Sequence, residues 1–298
     1  MKRLMIIAAG LAVLAGCAKT EKKYDATGTF EATEVTVAAE QNGVLTKLDV
    51  TEGDEIALGQ EVGLIDTTQI WLKIQQAGAT KEVYQSQKPN LEAQIAATRQ
   101  QLAKAKQDQQ RYKELVDDGA APSKMLDDAS NQVQVLQKQL DAQISTLSTS
   151  TNTLSKQMAA TDVQVSLLQD QLRKCHITAP IKGIVLEQYA EKGEFATVGK
   201  PLFKIADTEK MFFRAYVTSA QLQNIRLGQK ARVFADYGNG QRKEYEGTVS
   251  WISSRAEFTP KTILTDDERA DLVYALKVAI KNDGYAKIGM YGELVIDN

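Results

Sequence analysis

The sequence predicts an α+β fold: a long antiparallel coiled-coil hairpin is inserted between the two halves of a small β-sandwich, and a small antiparallel β-barrel follows. Three observations predict it. Apolar residues recur at heptad spacing between residues 91 and 175, two similar glycine-spaced segments flank that stretch, and β-branched and aromatic runs follow residue 207. Between Gly78 and Gly183 the only glycine is Gly119, a composition typical of long helices.

Composition excludes several classes of function. The chain has 36 Lys and Arg against 38 Asp and Glu, a balance that argues against a nucleic-acid binder and against an acidic disordered tail. His176 is the only histidine, and Cys17 and Cys175 are the only cysteines. Most metal sites and catalytic triads are therefore excluded, and we expect neither a cofactor nor enzymatic activity.

The first residues have the pattern of a secretory signal. Lys2 and Arg3 precede an apolar run of about 12 residues, shorter than the roughly 17–25 that span a membrane. The run ends in Leu-Ala-Gly-Cys, which resembles a bacterial lipobox, so Cys17 is the expected lipidation site and the new N-terminus. The alternative is a buried N-terminal helix. Loss of residues 1–16 leaves Cys175 as the only thiol: either a reactive group or, at the end of an apolar stripe, a buried and inert one.

The helical stretch has two arms, roughly 67–117 and 124–175. Pro89 removes a backbone donor and predicts a kink or restart of the first arm near Lys88. The break at 117–123 contains Gly119 and Pro122, and Ser123 is the predicted N-cap of the second arm. The seam residues alternate in steps of three and four, except for two consecutive steps of four at Leu136–Leu140–Ile144, a stutter that locally unwinds the supercoil. The pattern predicts an antiparallel coiled coil of Leu91, Ile95, Thr98, Leu102, Ala105, Gln109, Tyr112 and Val116 against Ala129, Val133, Leu136, Leu140, Ile144, Leu147, Thr151, Leu154, Met158, Thr161, Val165, Leu168, Leu172 and Cys175.

Two segments on either side of the hairpin share one pattern. At an offset of 140 residues without a gap, Gly43, Gly53 and Gly59 align with Gly183, Gly193 and Gly199, and the apolar positions align as well. Each segment reads as short strands between turns that require the conformational freedom of glycine, and each is too short to bury a sheet alone. We therefore expect one sandwich built from both. It resembles the biotinyl/lipoyl carrier fold, but the hairpin that carries the modified lysine in carriers is replaced here by helices, so the carrier function is not transferred.

After residue 207, runs of β-branched and aromatic residues predict five or six strands and a short helix, an arrangement typical of a small antiparallel barrel. An early strand near 26–37 contributes to it. The predicted order is a signal peptide at 1–16, a lipidated linker at 17–27, a lead-in strand at 28–42, sandwich halves at 43–66 and 177–207 around a hairpin at 67–176, and the barrel at 208–298.

Taken together, the chain resembles the periplasmic adaptor, or membrane fusion, proteins of the haemolysin-D family, over about residues 28–297. The residues that carry the resemblance are Gly43-Val44, Glu52-Gly53-Asp54, Gly59-Gln60, the segments 177–185 and 227–233, and the segment 288–292. The resemblance implies a lipid-anchored periplasmic protein, favouring the inner membrane. It would assemble, usually as a hexamer, and link an inner-membrane transporter to a TolC-like outer-membrane channel.

The resemblance also assigns a docking site. Members that dock on TolC-like channels carry Arg, then Leu four residues later, then Ser seven residues beyond. Arg111 and Leu115 match, but Pro122 stands at the third position and Ser123 follows it. The alternative is that these residues only close and cap the hairpin.

Two features favour an ATP-driven, ABC-type exporter over a proton-driven pump. The stretch 256–265 resembles a loop of adaptors that serve ABC exporters, and the chain ends with the barrel. Two other functional classes stay open. One is a lipid-anchored coiled-coil scaffold or tether without transport, and the other is an acyl- or biotin-carrier component.

Overall fold

The computed structural model describes residues 24–238, 240–258 and 272–297. The predicted signal peptide, Cys17 and residues 259–265 of the exporter-type loop lie outside the described residues. Three long helices form the hairpin: α1 (Thr68–Ser86), α2 (Leu91–Asp117) and α3 (Ser123–Arg173). A short helix, α4 (Ser219–Leu222), follows in the barrel. The strands are β1 (Ala26–Ala38), β2 (Gly43–Leu48), β3 (Glu55–Ile56), β4 (Glu61–Ile65), β5 (His176–Thr178), β6 (Gly183–Gln188), β7 (Phe195–Ala196), β8 (Pro201–Thr218), β9 (Lys230–Gly238), β10 (Gln241–Phe258), β11 (Leu272–Lys281) and β12 (Tyr291–Ile296).

The first arm of the hairpin is two helices, as Pro89 predicts. Helix α1 ends at Ser86, and α2 restarts at Leu91 after an N-cap at Asn90. The Asn90 side chain accepts a hydrogen bond from the Ala93 N–H at 3.1 Å, which satisfies one of the free donors of the first turn.

A cluster of buried side chains packs the heptad seam in the part of the hairpin nearer its tip. A cluster of Ile95, Leu102, Leu136 and Leu140 joins α2 to α3. All residues of α1 are described, and none of them is buried. Its facing surface on α3 is lined mainly by Gln, Thr and Ala together with the buried Leu168, and the exposed pair Lys81–Asp162 (2.5 Å) bridges the two helices. In the described α1–α3 part of the hairpin, Leu168 is thus a lone buried side chain rather than a member of a cluster like that of α2 and α3.

The two sandwich halves exchange strands. β2 of the first half pairs with β7 of the second at Gly43↔Ala196, and β3 of the first half pairs with β6 of the second at Ile56↔Gly183. These two pairings are related by the 140-residue offset. The backbone hydrogen bonds follow the same rule: Gly53 N–H to Val185 O (2.9 Å) corresponds to Gly193 N–H to Leu45 O (2.8 Å).

The sandwich core draws on both halves, which confirms the prediction of one sandwich. Its fully buried members include Leu45, Val62 and Ile65 from the first half and Leu202, Phe203 and Ile205 from the second. Cys175 is buried in this core, as its place on an apolar stripe predicts, and desolvation raises the pKa of its thiol.

The predicted turn role of the aligned glycines needs one correction. Gly53, Gly59, Gly193 and Gly199 have φ between 75° and 96°, a region that favours glycine. Gly43 and Gly183 do not lie in turns, because they begin strands β2 and β6. A Cβ at Gly183 would lie 2.1 Å from the Ala206 carbonyl oxygen, and one at Gly43 would lie 2.7 Å from the Ile65 side chain. Close packing against the neighbouring strand requires glycine there.

The barrel is closed by six antiparallel strands in the order β1-β12-β9-β10-β11-β8, with β8 pairing back to β1. Phe30, Met211, Phe213, Leu276 and Leu294 fill its core. β1 and β8 pair from Thr27↔Tyr216 in the barrel to Ala38↔Pro201 in the sandwich. The predicted sandwich–barrel boundary at residue 207 therefore falls inside one continuous strand.

Candidate docking site at the hairpin tip

Backbone hydrogen bonds close the tip of the hairpin. After α2, the Gly119 N–H donates to Val116 O (3.0 Å), and the Ala120 N–H donates to Leu115 O (2.8 Å). Gly119 has a φ of 71°, which ends α2 in the left-handed conformation that glycine adopts readily. The chain then turns into α3 through residues 120–122.

The predicted serine cap is wrong. Pro122 is the N-cap residue of α3, with φ −64° and ψ 140°, and Ser123 is the first residue inside the helix. In the tip as the structure describes it, no side-chain hydrogen bond caps α3. The fixed φ of proline suits a helix entry, so Pro122 sets the backbone path into α3 without the side-chain hydrogen bond that was predicted for Ser123.

The side chains singled out by the sequence project into solvent. Arg111 is 62% exposed; it lies 3.4 Å from Asp108 and stacks over the Tyr112 ring at 5.3 Å. Leu115 is 38% exposed, and Met125, on the opposite arm, is 48% exposed. Pro122 and Ser123 are also exposed. Helix α2 places Arg111 one turn before Leu115, because residues four apart share a helix face.

A groove of about 660 Å³ lies directly below the tip, between α2 and α3. Its lining combines apolar and charged side chains, among them Lys104, Asp108, Tyr112, Met125, Asp128 and Leu136. Sequence reasoning assigned Tyr112 to the seam and passed over Met125. The only signal for Met125 was an apolar residue outside the heptad pattern at the start of the second arm.

Chemistry elsewhere in the described chain is sparse. Among the described residues, no group of three or more His, Cys, Asp or Glu is placed to hold a metal ion. Within the same ranges, no helix is both long and apolar enough to cross a membrane.

A family-model match over the sandwich and the hairpin shows the family of the chain. Residues 33–208, which include the sandwich and the whole hairpin, match the family model described as "RND MFP, barrel-sandwich hybrid domain". The chain belongs to the membrane fusion protein family. A UPF0194 membrane protein from Yersinia pseudotuberculosis is 30% identical over 80% of this chain and 78% of its own length. Another, from Acidithiobacillus ferridurans, is 27% identical over 91% of this chain and 86% of its own length.

Solved structures share the architecture. MacA from Actinobacillus actinomycetemcomitans has a TM-score of 0.57 and 21% identity, and covers 91% of this chain and 76% of its own. The membrane fusion protein Spr0693 from Streptococcus pneumoniae R6 has a TM-score of 0.53 and 17% identity, and covers 91% of this chain and 97% of its own. These likenesses confirm the predicted fold, a helical hairpin with a sandwich and a barrel.

Proposed function

We propose that this membrane fusion protein is a non-enzymatic periplasmic adaptor. It is anchored to the inner membrane through lipidated Cys17, assembles as a hexamer, and links an inner-membrane transporter to a TolC-like outer-membrane channel through its hairpin tip. Family membership supports the adaptor role, and the signal-like sequence before Cys17 supports the anchor.

One observation carries the docking proposal: backbone hydrogen bonds close the tip, and the exposed side chains take no part in that closure. The backbone bonds at Gly119 and Ala120 form the turn, and Pro122 sets the entry to α3. The side chains of Arg111 and Leu115 are therefore not required to close the tip and can contact a partner. A planar guanidinium beside an exposed Leu offers bidentate donors and an apolar anchor, the two contact types that dominate protein interfaces.

We also propose that the transporter is an ABC-type exporter. The stretch 256–265 supports an ABC-type exporter, because it resembles a loop of adaptors that serve such exporters. The description of the matched family model names RND instead. Cross-linking of the affinity-tagged protein in cells separates the two. Recovery of an ATPase and its permease supports the ABC assignment, and recovery of an RND pump overturns that assignment while leaving the adaptor role intact.

The test of tip docking is Arg111→Asp, with Arg99→Asp as its control. Arg99 also lies on α2, is 54% exposed and pairs with Glu92 at 2.6 Å, but it lies about 18 Å further from the tip, at 1.5 Å per residue. Each substitution removes one exposed ion pair, so each should change the free energy of unfolding by no more than about 0.5 kcal/mol.

Only Arg111→Asp should weaken the channel contact. A central interface arginine contributes about 2 kcal/mol or more, which corresponds to a roughly thirtyfold loss of affinity. The measurement is recovery of the TolC-like channel with the cross-linked protein, alongside circular dichroism of each variant. Equal recovery with Arg111→Asp and Arg99→Asp would favour the second candidate, a lipid-anchored scaffold that needs no tip recognition.

A further inference from the structure

We propose that the end of the β-barrel opposite the hairpin rests on the bilayer surface, with Leu227 and Trp251 in the lipid headgroup region. The proposal rests on the lipid anchor of the proposed function and adds a second, protein-borne contact with the membrane. The partner surface is a bilayer that contains anionic lipid.

The N-terminus enters the barrel at that end. The Asp25 N–H donates to Leu294 O at 2.8 Å, and its carboxylate accepts from the Ile296 N–H at 2.9 Å. The carbonyl of Asp25 also accepts a bond from the Gln221 side chain in α4. The start of β1, the end of β12 and helix α4 therefore lie together.

The chain before this point is short. Six residues lie between Cys17 and Tyr24, and the seven steps of a fully extended chain span at most about 3.6 Å each, or roughly 25 Å in all. Acyl chains on Cys17 would hold this end of the barrel within that distance of the bilayer. The hairpin begins beyond the other end of β1, whose 13 residues span about 40 Å.

Two large apolar side chains are exposed near this end. Leu227 is 66% exposed and Trp251 is 42% exposed. The turn that carries Leu227 is bonded to the strand that carries Trp251: the Gly228 N–H donates to Val249 O, and the Val249 N–H donates to Gln229 O, both at 2.9 Å. The turn of Leu227 and the strand of Trp251 are therefore neighbours, and these two exposed side chains are called the patch below. Tryptophan is enriched at the membrane–water interface, and an exposed leucine gains from burial there.

The charges around the patch suit an anionic surface. Arg226 and Lys230 flank the turn of Leu227, and both are exposed; the exposed Glu246 lines the same surface hollow as Lys230. Two acidic residues at this end have partners within the chain: Asp25 accepts from the Ile296 backbone, and Asp297 accepts from Arg232 at 3.0 Å. Basic side chains near a bilayer are attracted to its anionic lipids.

The two tryptophans of the chain provide a reporter and its control. Trp71 lies in α1 at the base of the hairpin and is 53% exposed, comparable to Trp251. Trp71→Phe leaves Trp251 as the only tryptophan, and Trp251→Phe leaves Trp71. Each full-length acylated protein is bound to vesicles of phosphatidylethanolamine and phosphatidylglycerol whose acyl chains are brominated near the headgroup, and flotation verifies binding.

Trp251 should be quenched about threefold or more relative to Trp71, because only Trp251 reaches the headgroup region. Adding Leu227→Glu to the Trp71→Phe protein should remove most of that quenching, whereas Tyr291→Glu, at a 76% exposed position elsewhere on the barrel, should leave it unchanged. Equal quenching of Trp251 and Trp71 in floated protein overturns the proposal. If Leu227→Glu instead lowers transporter cross-linking without changing quenching, the patch docks the transporter and the membrane proposal is likewise overturned. Either result leaves the tip experiment with Arg111 unaffected.

Discussion

The sandwich should fold without the helical hairpin. In the proposed variant, residues 67–174 are replaced by a four-residue Gly/Asn turn. β4 and β5 already meet as neighbouring antiparallel strands: Leu64 aligns with His176, and the Ile65 N–H donates to Cys175 O at 2.9 Å. A short turn therefore spans the gap without moving either strand.

Two free-energy contributions determine the expected stability of the hairpin-free variant. Closing a loop of about 110 residues costs about 3 kcal/mol more than closing a four-residue turn, from (3/2)RT ln n. Against this, the variant loses Ile70, which is partly buried against the sandwich core, at a cost of about 1–2 kcal/mol. The free energy of unfolding of the sandwich should therefore rise by about 1–2 kcal/mol.

The assay is urea unfolding followed by circular dichroism in the β region. A single cooperative transition is expected, with a lower m-value than that of the full chain because less surface is exposed. Adding Leu45→Asp, which places a charge at a fully buried core position, should abolish that transition. A hairpin-free variant that shows no cooperative transition would refute the argument that the two halves complete one sandwich.

Two further predictions concern the hairpin and the barrel. Leu140→Ala should lower the free energy of unfolding of the hairpin by about 2–4 kcal/mol, because Leu140 is 7% exposed. Val163→Ala, at a 61% exposed position on the same helix, should change it by no more than about 0.5 kcal/mol. Chemical unfolding monitored by circular dichroism at 222 nm checks both. In the barrel, a hydrogen bond from Lys243 holds the pKa of Asp283 at about 2, below its ordinary value. The carboxylate therefore stabilises the barrel fully above the unfolded pKa of about 4, and that contribution is lost as the pH falls towards 2. The Tm difference between the wild type and Asp283→Asn should shrink between pH 5 and pH 2, and a constant difference would contradict this assignment.

Periodic patterns predicted most of the fold. The heptads defined α2 and α3, Pro89 placed the break between α1 and α2, and the repeated glycines identified two related halves. The exchange of β3 and β7 between the halves was not predictable, because a two-residue strand carries no periodicity. The role of Gly183 was missed for a related reason: close packing against Ala206 depends on the neighbouring strand, which local sequence does not reveal.

At the tip, the sequence indicated the region but not the role of each residue. A serine after a Gly- and Pro-containing break is a strong N-cap signal, yet the N-cap lies one residue earlier, at Pro122. Propensity alone does not decide between two adjacent residues that are both suited to a helix start. The exposure of Met125 depends on how α2 and α3 are positioned relative to each other. The heptad seam shows which faces meet, but it does not fix that position to better than one helix turn.

The distribution of packing indicates where the molecule bends. β1 and β8 each continue from the barrel into the sandwich, and they pair on both sides of a register shift between Ala32 and Thr33. This continuity should couple the movements of the two parts. The hairpin is different: its outer part has an apolar core, but none of the residues of α1 is buried, and an exposed ion pair such as Lys81–Asp162 contributes little. Segments with few buried apolar contacts open at the lowest free energy. The base of the hairpin should therefore be the softest joint, which lets a rigid tip change its angle to meet a partner while the sandwich and barrel stay fixed.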